Sequence, residues 1–158
     1  MLDKDIVPLI FEDNLDVEYI LNHPEALSVY SSVLKNGLST KKFLYLDYKG
    51  EHDYEIVNYM LDYEFAYNIT LGSQKELEAL GKFKYEYLPE KIKEVNNLIS
   101  QKGYGLFAYP TGGDFYALFI TKLTNKSKLL QVELLEDKWT PAKERYIQYY
   151  DKDAEGNL

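Results

Sequence analysis

The segment from residue 104 to residue 121 constrains the fold of this chain more than any other part. Two apolar runs, at 104–109 and 115–120, are separated by the string Pro-Thr-Gly-Gly-Asp. Proline presets φ for a turn, glycine tolerates positive φ and aspartate bonds nearby amides, so the string predicts a hairpin turn. Both runs are apolar at odd and even positions, which indicates strands covered on two faces. The hairpin is therefore predicted to lie at the centre of a core that is built from both helices and strands.

Apolar residues at helical spacing predict helices on both sides of this hairpin in the chain. A helix over residues 24–35 is predicted to start at Pro24 and to stop at Gly37. Similar patterns predict further helices over residues 53–63, 73–80, 89–102 and 140–150. Asp53 is expected to cap the first of these four, and Trp139 is expected to be packed beneath the last.

Three further segments have the composition of strands. Residues 42–48 predict a first strand, residues 65–71 a short one, and residues 129–135 a third strand directly after the hairpin. Strands joined by short turns pair antiparallel. The sequence therefore predicts an α+β fold, with an antiparallel sheet of about four to five strands and helices packed on its faces. Residues 1–150 are predicted to form a single domain, followed by a polar tail at 151–158.

The composition argues against several classes of protein. With no cysteine, the chain has no disulfide, no thiolate metal site and no thiol nucleophile. A net charge of −8 repels phosphate backbones, so nucleic acid is not an expected partner. Acidic residues stand near the N-terminus where a signal peptide has lysine or arginine, and no apolar run approaches the ~20 residues that cross a bilayer. We therefore expect a cytoplasmic protein without membrane contact.

One local cluster has the residue types of a divalent metal site. Asp47, Glu51, His52 and Asp53 supply carboxylate and imidazole groups, and they leave open a small metal-dependent hydrolase. The same positions span a predicted strand end and helix start, where acidic residues serve as caps and solvated charges. The doubled glycine before Asp114 precedes a strand, so it predicts a hairpin turn rather than a phosphate-binding loop. On balance we expect no enzymatic activity, no resident metal and no cofactor.

The abundance of tyrosine favours a protein-binding role. The chain has 16 tyrosines, a residue type enriched at interfaces, and its excess of carboxylates would attract a basic partner. The alternative explanation is an AT-rich genome, because lysine, asparagine and isoleucine share such codons and are also plentiful. The candidate contacts stand at predicted strand ends and turns: Asp47, Tyr48, Glu51, Asp114 and Tyr116.

These motifs resemble those of an uncharacterised bacterial family, the domain of unknown function 6630. The resemblance extends over about residues 43–130 and rests on the string LDYKGE at 46–51, the helix that follows and the later glycine–aspartate hairpin. The hairpin also resembles that of the SMI1/KNR4 superfamily of immunity proteins, many of which neutralise bacterial toxins. That second resemblance implies a binding role. Neither resemblance implies a catalytic residue.

We therefore expect a non-enzymatic, cytoplasmic protein-binding module. In its most specific form, the hypothesis is an immunity protein that neutralises a basic toxin through an acidic, tyrosine-bearing face. The oligomeric state is left open.

Overall fold

The two apolar runs form the central strands of a sheet, as predicted. The computed structural model describes residues 2–22 and 28–152. Within them four strands pair antiparallel: β1 Leu44–Asp47, β2 Tyr104–Tyr109, β3 Phe115–Lys122 and β4 Gln148–Tyr149. Their order across the sheet is β1-β3-β2-β4. The predicted α+β class, with an antiparallel sheet flanked by helices, is confirmed.

The described residues also contain seven α-helices. In chain order these are α1 Val7–Ile10, α2 Asn14–Asn22, α3 Val29–Ser39, α4 Glu55–Tyr67, α5 Gln74–Lys82, α6 Leu88–Ile99 and α7 Lys126–Leu129. Short 3-10 turns occupy Asp3–Ile6, Ser100–Lys102, Leu123–Asn125 and Ala142–Arg145. None of the described helices has both the length and the apolar character that a membrane crossing requires.

Each central strand buries both faces because helices cover the sheet on both sides. Leu106 and Ile120 belong to one core, which they share with α4, α5 and α6. Phe107 and Phe119 belong to a second core, which they share with α1 and α3. These two rings face each other in the register of β2 and β3, with centroids 5.6 Å apart. Doubly covered strands account for runs that are apolar at every position.

Two predicted strands are wrong, and the fourth strand lies elsewhere. Residues 65–67 form the last turn of α4, which ends where Asn68 takes a left-handed conformation with φ of 52°. Residues 129–135 form the end of α7 and an irregular segment. The fourth strand, β4, lies inside the predicted helix at 140–150. That segment buries Ile147 but no helical stripe, so it forms a 3-10 turn and then pairs with β2.

The first predicted helix is displaced along the chain. Its expected start at Pro24 lies outside the described residues, as do residues 153–158 of the predicted tail. The helix α3 begins after Ser28 and continues through Gly37, which was expected to end it. A Cβ at Gly37 would lie 2.4 Å from the ring of Phe43. Gly37 therefore permits close packing of Phe43, the residue just before β1, on the helix, and it does not form a turn.

Ser32 provides a test of packing in α3. Its side chain is 1% exposed, and its hydroxyl has no hydrogen-bond partner among the described residues. Because a buried hydroxyl without a partner is unfavourable and alanine is the better helix former, we expect Ser32→Ala to raise the free energy of unfolding by about 1 kcal/mol. Urea denaturation measures the change. Ser39→Ala removes an exposed hydroxyl from the same helix, and a gain no larger than that control would contradict the prediction.

Candidate functional site

An open cleft lies where the hairpin turn meets the last described residues. It has a volume of about 450 Å³, with residues 109–116 on one side and residues between 139 and 150 on the other. Aromatic rings and prolines form much of its lining, and Asp114 and Glu144 add two carboxylates. The cleft therefore combines flat apolar surfaces with negative charge.

The hairpin turn forms the first wall and is fixed by side-chain bonds. The hydroxyl of Thr111 donates to the carbonyl of Phe115 at 2.9 Å and accepts from the Gly113 amide at 3.3 Å. The Tyr48 amide, just beyond β1, donates to the carbonyl of Asp114 at 3.0 Å. The turn and the end of β1 thus form one continuous edge. It is a hairpin turn, as the sequence predicts.

A second local turn forms the opposite wall. The carboxylate of Asp137 accepts from the Trp139 amide at 2.9 Å and from the Thr140 hydroxyl at 3.3 Å. The Arg145 side chain donates to the Thr140 carbonyl at 2.9 Å, which closes the turn. Trp139 is left 81% exposed at the mouth of the cleft. The expectation that Trp139 packs in the core is wrong, because Asp137 holds Trp139 in a turn and the helix that was expected to cover it does not form.

Glu144 affects the electrostatic character of the tyrosines that line the cleft. Burial raises the pKa of Tyr116, and the nearby Glu144 carboxylate raises it further. The pKa of Tyr150 is raised to about 12 by burial, with smaller contributions from Tyr116 and Glu144. Both phenols therefore stay protonated at neutral pH and can donate hydrogen bonds. Carboxylates carry the charge of this lining, since none of the described residues that line it is lysine or arginine.

The structure brings together three of the predicted partner contacts. Tyr48, Asp114 and Tyr116 all line the cleft. Asp47 lies next to it at the end of β1, where its carboxylate accepts from the amide of Lys49 at 2.9 Å. Glu51 is different because its side chain is only 5% exposed, so it is not available to a partner and we remove it from the candidate contacts.

Several lining residues were missed in the sequence, among them Trp139, Glu144 and Tyr150. Glu144 and Tyr150 lie in the segment 140–150 that was predicted as a helix, where they would stand on different faces, and Trp139 directly precedes that segment. Asp137 three residues before Thr140 was a usable signal, since aspartate often accepts bonds from amides just after it. Pro141 was a second one, because proline favours a turn as well as a helix start.

The sequence cluster proposed for a metal is not assembled as one. Among the described residues, no three histidine, aspartate or glutamate side chains are grouped so that they could hold a metal ion. Glu51 instead contacts Lys91 at 3.1 Å and accepts from the Ile56 amide at 2.8 Å. The predicted cap at Asp53 is also wrong. Tyr54 precedes the first turn of α4 without a side-chain cap, and the Glu51 carboxylate serves the amide of Ile56.

Fold and cleft define this chain as an α+β protein with a doubly covered antiparallel sheet and an open, aromatic and acidic cleft at one end of it. It belongs to the family described as domain of unknown function (DUF6630), whose model matches residues 7–136. The resemblance found in the sequence is thereby confirmed, and the match is longer than the predicted 43–130. The matched range contains Tyr48, Asp114 and Tyr116 and ends before Trp139. No curated protein and no solved structure matches the chain.

Proposed function

We propose that this protein binds a protein partner, and that its cleft takes an extended segment of that partner carrying lysine or arginine. The observation that carries the proposal is the convergence of Tyr48, Asp114 and Tyr116 with Trp139 around one open cleft. In its specific form the partner is a basic toxin and the protein is its cytoplasmic immunity protein. The SMI1/KNR4 resemblance of the hairpin remains a prediction that motivates this specific form.

The chemistry of the lining favours a cationic side chain. Aromatic faces attract ammonium and guanidinium groups, and carboxylates at the rim attract them over a longer range. Trp139 already shows the first interaction, because the ammonium of Lys138 lies 5.3 Å from the centre of its ring. A lysine of the partner could make the same contact from the cleft, and Asp114 or Glu144 would then neutralise its charge.

Trp139 makes the proposal directly measurable, since it is the only tryptophan in the chain. We expect a short peptide of alternating lysine and alanine to change Trp139 fluorescence on titration. A peptide with norleucine in place of lysine keeps the apolar stem without the charge and is expected to bind more weakly. Affinity for the lysine peptide should fall with added salt, because rim charges are screened.

Two variants separate charge from ring contact. Asp114→Asn should weaken binding of the lysine peptide about two- to fivefold, as exposed ion pairs contribute little individually. Trp139→Ala should weaken it about tenfold or more, measured by anisotropy of a labelled peptide, because tryptophan often dominates binding energy. Its thermal unfolding should be nearly unchanged, since the ring is exposed.

Asp53→Asn is the matched control, because it makes the same change of charge at an exposed position outside the cleft. Equal affinities for the lysine and norleucine peptides would sink the basic-partner proposal. So would a loss of binding in Asp53→Asn as large as in Asp114→Asn, since the effect would then come from net charge alone. The toxin form has its own test: co-expression should rescue growth of cells that carry a toxin-like neighbouring gene.

A further inference from the structure

A second cleft, which shares no lining residue with the first, opens between the N-terminal segment, the start of β1 and α4. Its volume is about 630 Å³, and aromatic side chains form much of its lining. Lys42 is one of the lining residues, and its side chain is only 10% exposed. Lysine side chains are rarely buried to this degree, and it is more unusual still for such a lysine to border an open cleft.

Several contacts hold Lys42 in one position. Its ammonium donates to Glu12 at 3.0 Å and to the carbonyl of Ile120 at 3.1 Å, and its own carbonyl accepts from the Tyr59 hydroxyl. The ammonium also lies 5.2 Å from the centre of the Tyr63 ring. The ammonium nitrogen is therefore placed by strand, helix and N-terminal segment together.

Glu12 connects this lysine to a proton donor. Its second oxygen accepts from the hydroxyl of Tyr63 at 2.7 Å, so lysine, carboxylate and phenol form one hydrogen-bonded chain. Burial lowers the pKa of Lys42, and the Glu12 carboxylate opposes that shift without cancelling it. The same burial raises the pKa of Tyr63, which keeps the phenol protonated. The neutral amine is thus more accessible than that of an exposed lysine.

A second ion pair in the same protein shows what a purely structural arrangement looks like. Lys91 and Glu51 lie 3.1 Å apart with side chains 1% and 5% exposed, so that pair is sealed from solvent. Glu12 is 30% exposed, and both Glu12 and Lys42 line the second cleft. A pair that opens onto a cleft can meet a ligand, whereas the sealed pair cannot.

We propose that Lys42 binds a carbonyl ligand covalently, as an imine with an uncharged aldehyde or ketone that has an aromatic-sized apolar body. Nucleophilic lysines in proteins are activated by burial and an adjacent acid–base group, and Lys42 has both. The body of the ligand would lie against rings such as Phe43 and Tyr45. An anionic ligand is disfavoured because four more carboxylates line the cleft: Asp13, Asp16, Glu55 and Asp62.

Formation of the imine requires only the ligand, Lys42 and Glu12. Glu12 takes one proton from the Lys42 ammonium, and the neutral amine adds to the carbonyl carbon to give an ammonium–alkoxide adduct. A second proton of the same nitrogen moves to the alkoxide oxygen, which gives a neutral carbinolamine. The protonated Glu12 then returns its proton to the carbinol oxygen, which leaves as water while the C=N double bond forms. The product is a protonated imine beside the Glu12 carboxylate, so net charge is conserved. Tyr63 holds the carboxylate in place through its hydrogen bond.

The test uses benzaldehyde as probe and sodium cyanoborohydride as the hydride source that traps the imine as a benzyl amine. Peptide mapping by mass spectrometry then identifies the labelled residue among 17 lysines. We expect Lys42 to be labelled at least about ten times faster than its exposed neighbour Lys41, because the site supplies both position and a proton acceptor. Lys91, which is sealed, should remain unlabelled.

Two variants test the role of the neighbouring groups. Glu12→Gln should slow labelling of Lys42 about tenfold or more, whereas Lys41→Arg should leave the Lys42 rate unchanged. Peptide mapping of the labelled protein without substitutions tests the proposal even if Glu12→Gln fails to fold. Labelling of exposed lysines such as Lys41 and Lys49 with Lys42 unmodified would overturn the proposal, and so would an unchanged Lys42 rate in folded Glu12→Gln.

Discussion

Replacing Lys91 by methionine is expected to lower the free energy of unfolding by about 3–5 kcal/mol, because it strands a buried carboxylate. Lys91 is 1% exposed, and its ammonium pairs with Glu51 at 3.1 Å. The hydroxyl of Tyr85 donates to the same carboxylate at 3.1 Å, so Glu51 would keep some partners but lose its countercharge. Methionine has nearly the shape of the lysine stem, which separates the loss of charge from the loss of packing. Urea denaturation at neutral pH measures the effect.

Lys75→Met is the matched control for that experiment. It makes the same change at an exposed position of α5 and should shift stability by less than about 0.5 kcal/mol. The double variant Glu51→Gln with Lys91→Met removes both charges and keeps an acceptor for the Ile56 amide. It should recover more than half of the loss. If the double variant is as unstable as Lys91→Met, packing explains the effect and the ion pair does not.

The parts of the fold that could be predicted from sequence are those specified by neighbouring residues. The hairpin of β2 and β3 has an apolar run on each side of a proline and glycine turn, so turn chemistry and burial agree. The helix α6 likewise begins near Pro89 and is followed by Gly103, which takes φ of 86°. Both follow from local signals, and both are confirmed.

The fourth strand could not be predicted because its pairing depends on distant residues. β4 is two residues long, and its residues pair with Phe107 and Ala108, some forty positions earlier in the chain. Nothing within residues 140–150 specifies that partner. The error carried over to the cleft, since Glu144 was placed on a helix that does not exist and Trp139 was expected to be packed beneath it. Tyr48, Asp114 and Tyr116 were found because strand ends beside a turn are recognisable locally.

The buried face of α6 contains polar residues, which a search for apolar residues at helical spacing does not detect. Its buried residues follow helical spacing, and two of them are polar: Lys91 and Asn96. Helical spacing places both on the core face, where a polar side chain needs a partner. Sequence could therefore indicate that each has a structural role. It could not indicate the partners, because Glu51 and Leu106 lie on other elements.

Asn96→Leu is expected to lower the free energy of unfolding by about 2–5 kcal/mol, since it leaves buried backbone groups without partners. The Asn96 amide donates to the carbonyls of Leu106 at 3.1 Å and Tyr150 at 2.8 Å, and its oxygen accepts from the Leu106 amide at 2.7 Å. By the register of β2 and β4, Leu106 would face Tyr150 next, so Asn96 bridges the two strands where they separate. Urea denaturation measures the loss, and hydrogen exchange should show faster exchange at Leu106.

Asn97→Leu supplies the control, because Asn97 is the next residue of α6 and is exposed; its effect should stay below about 0.5 kcal/mol. The Asn96 variant should also weaken binding of the lysine peptide, since Tyr150 is fixed through Asn96 and lines the cleft. A loss of stability with unchanged Leu106 exchange in the folded state would show that the strand bridge is not the cause. Loss of stability and peptide affinity together would link the core of α6 to the geometry of the cleft.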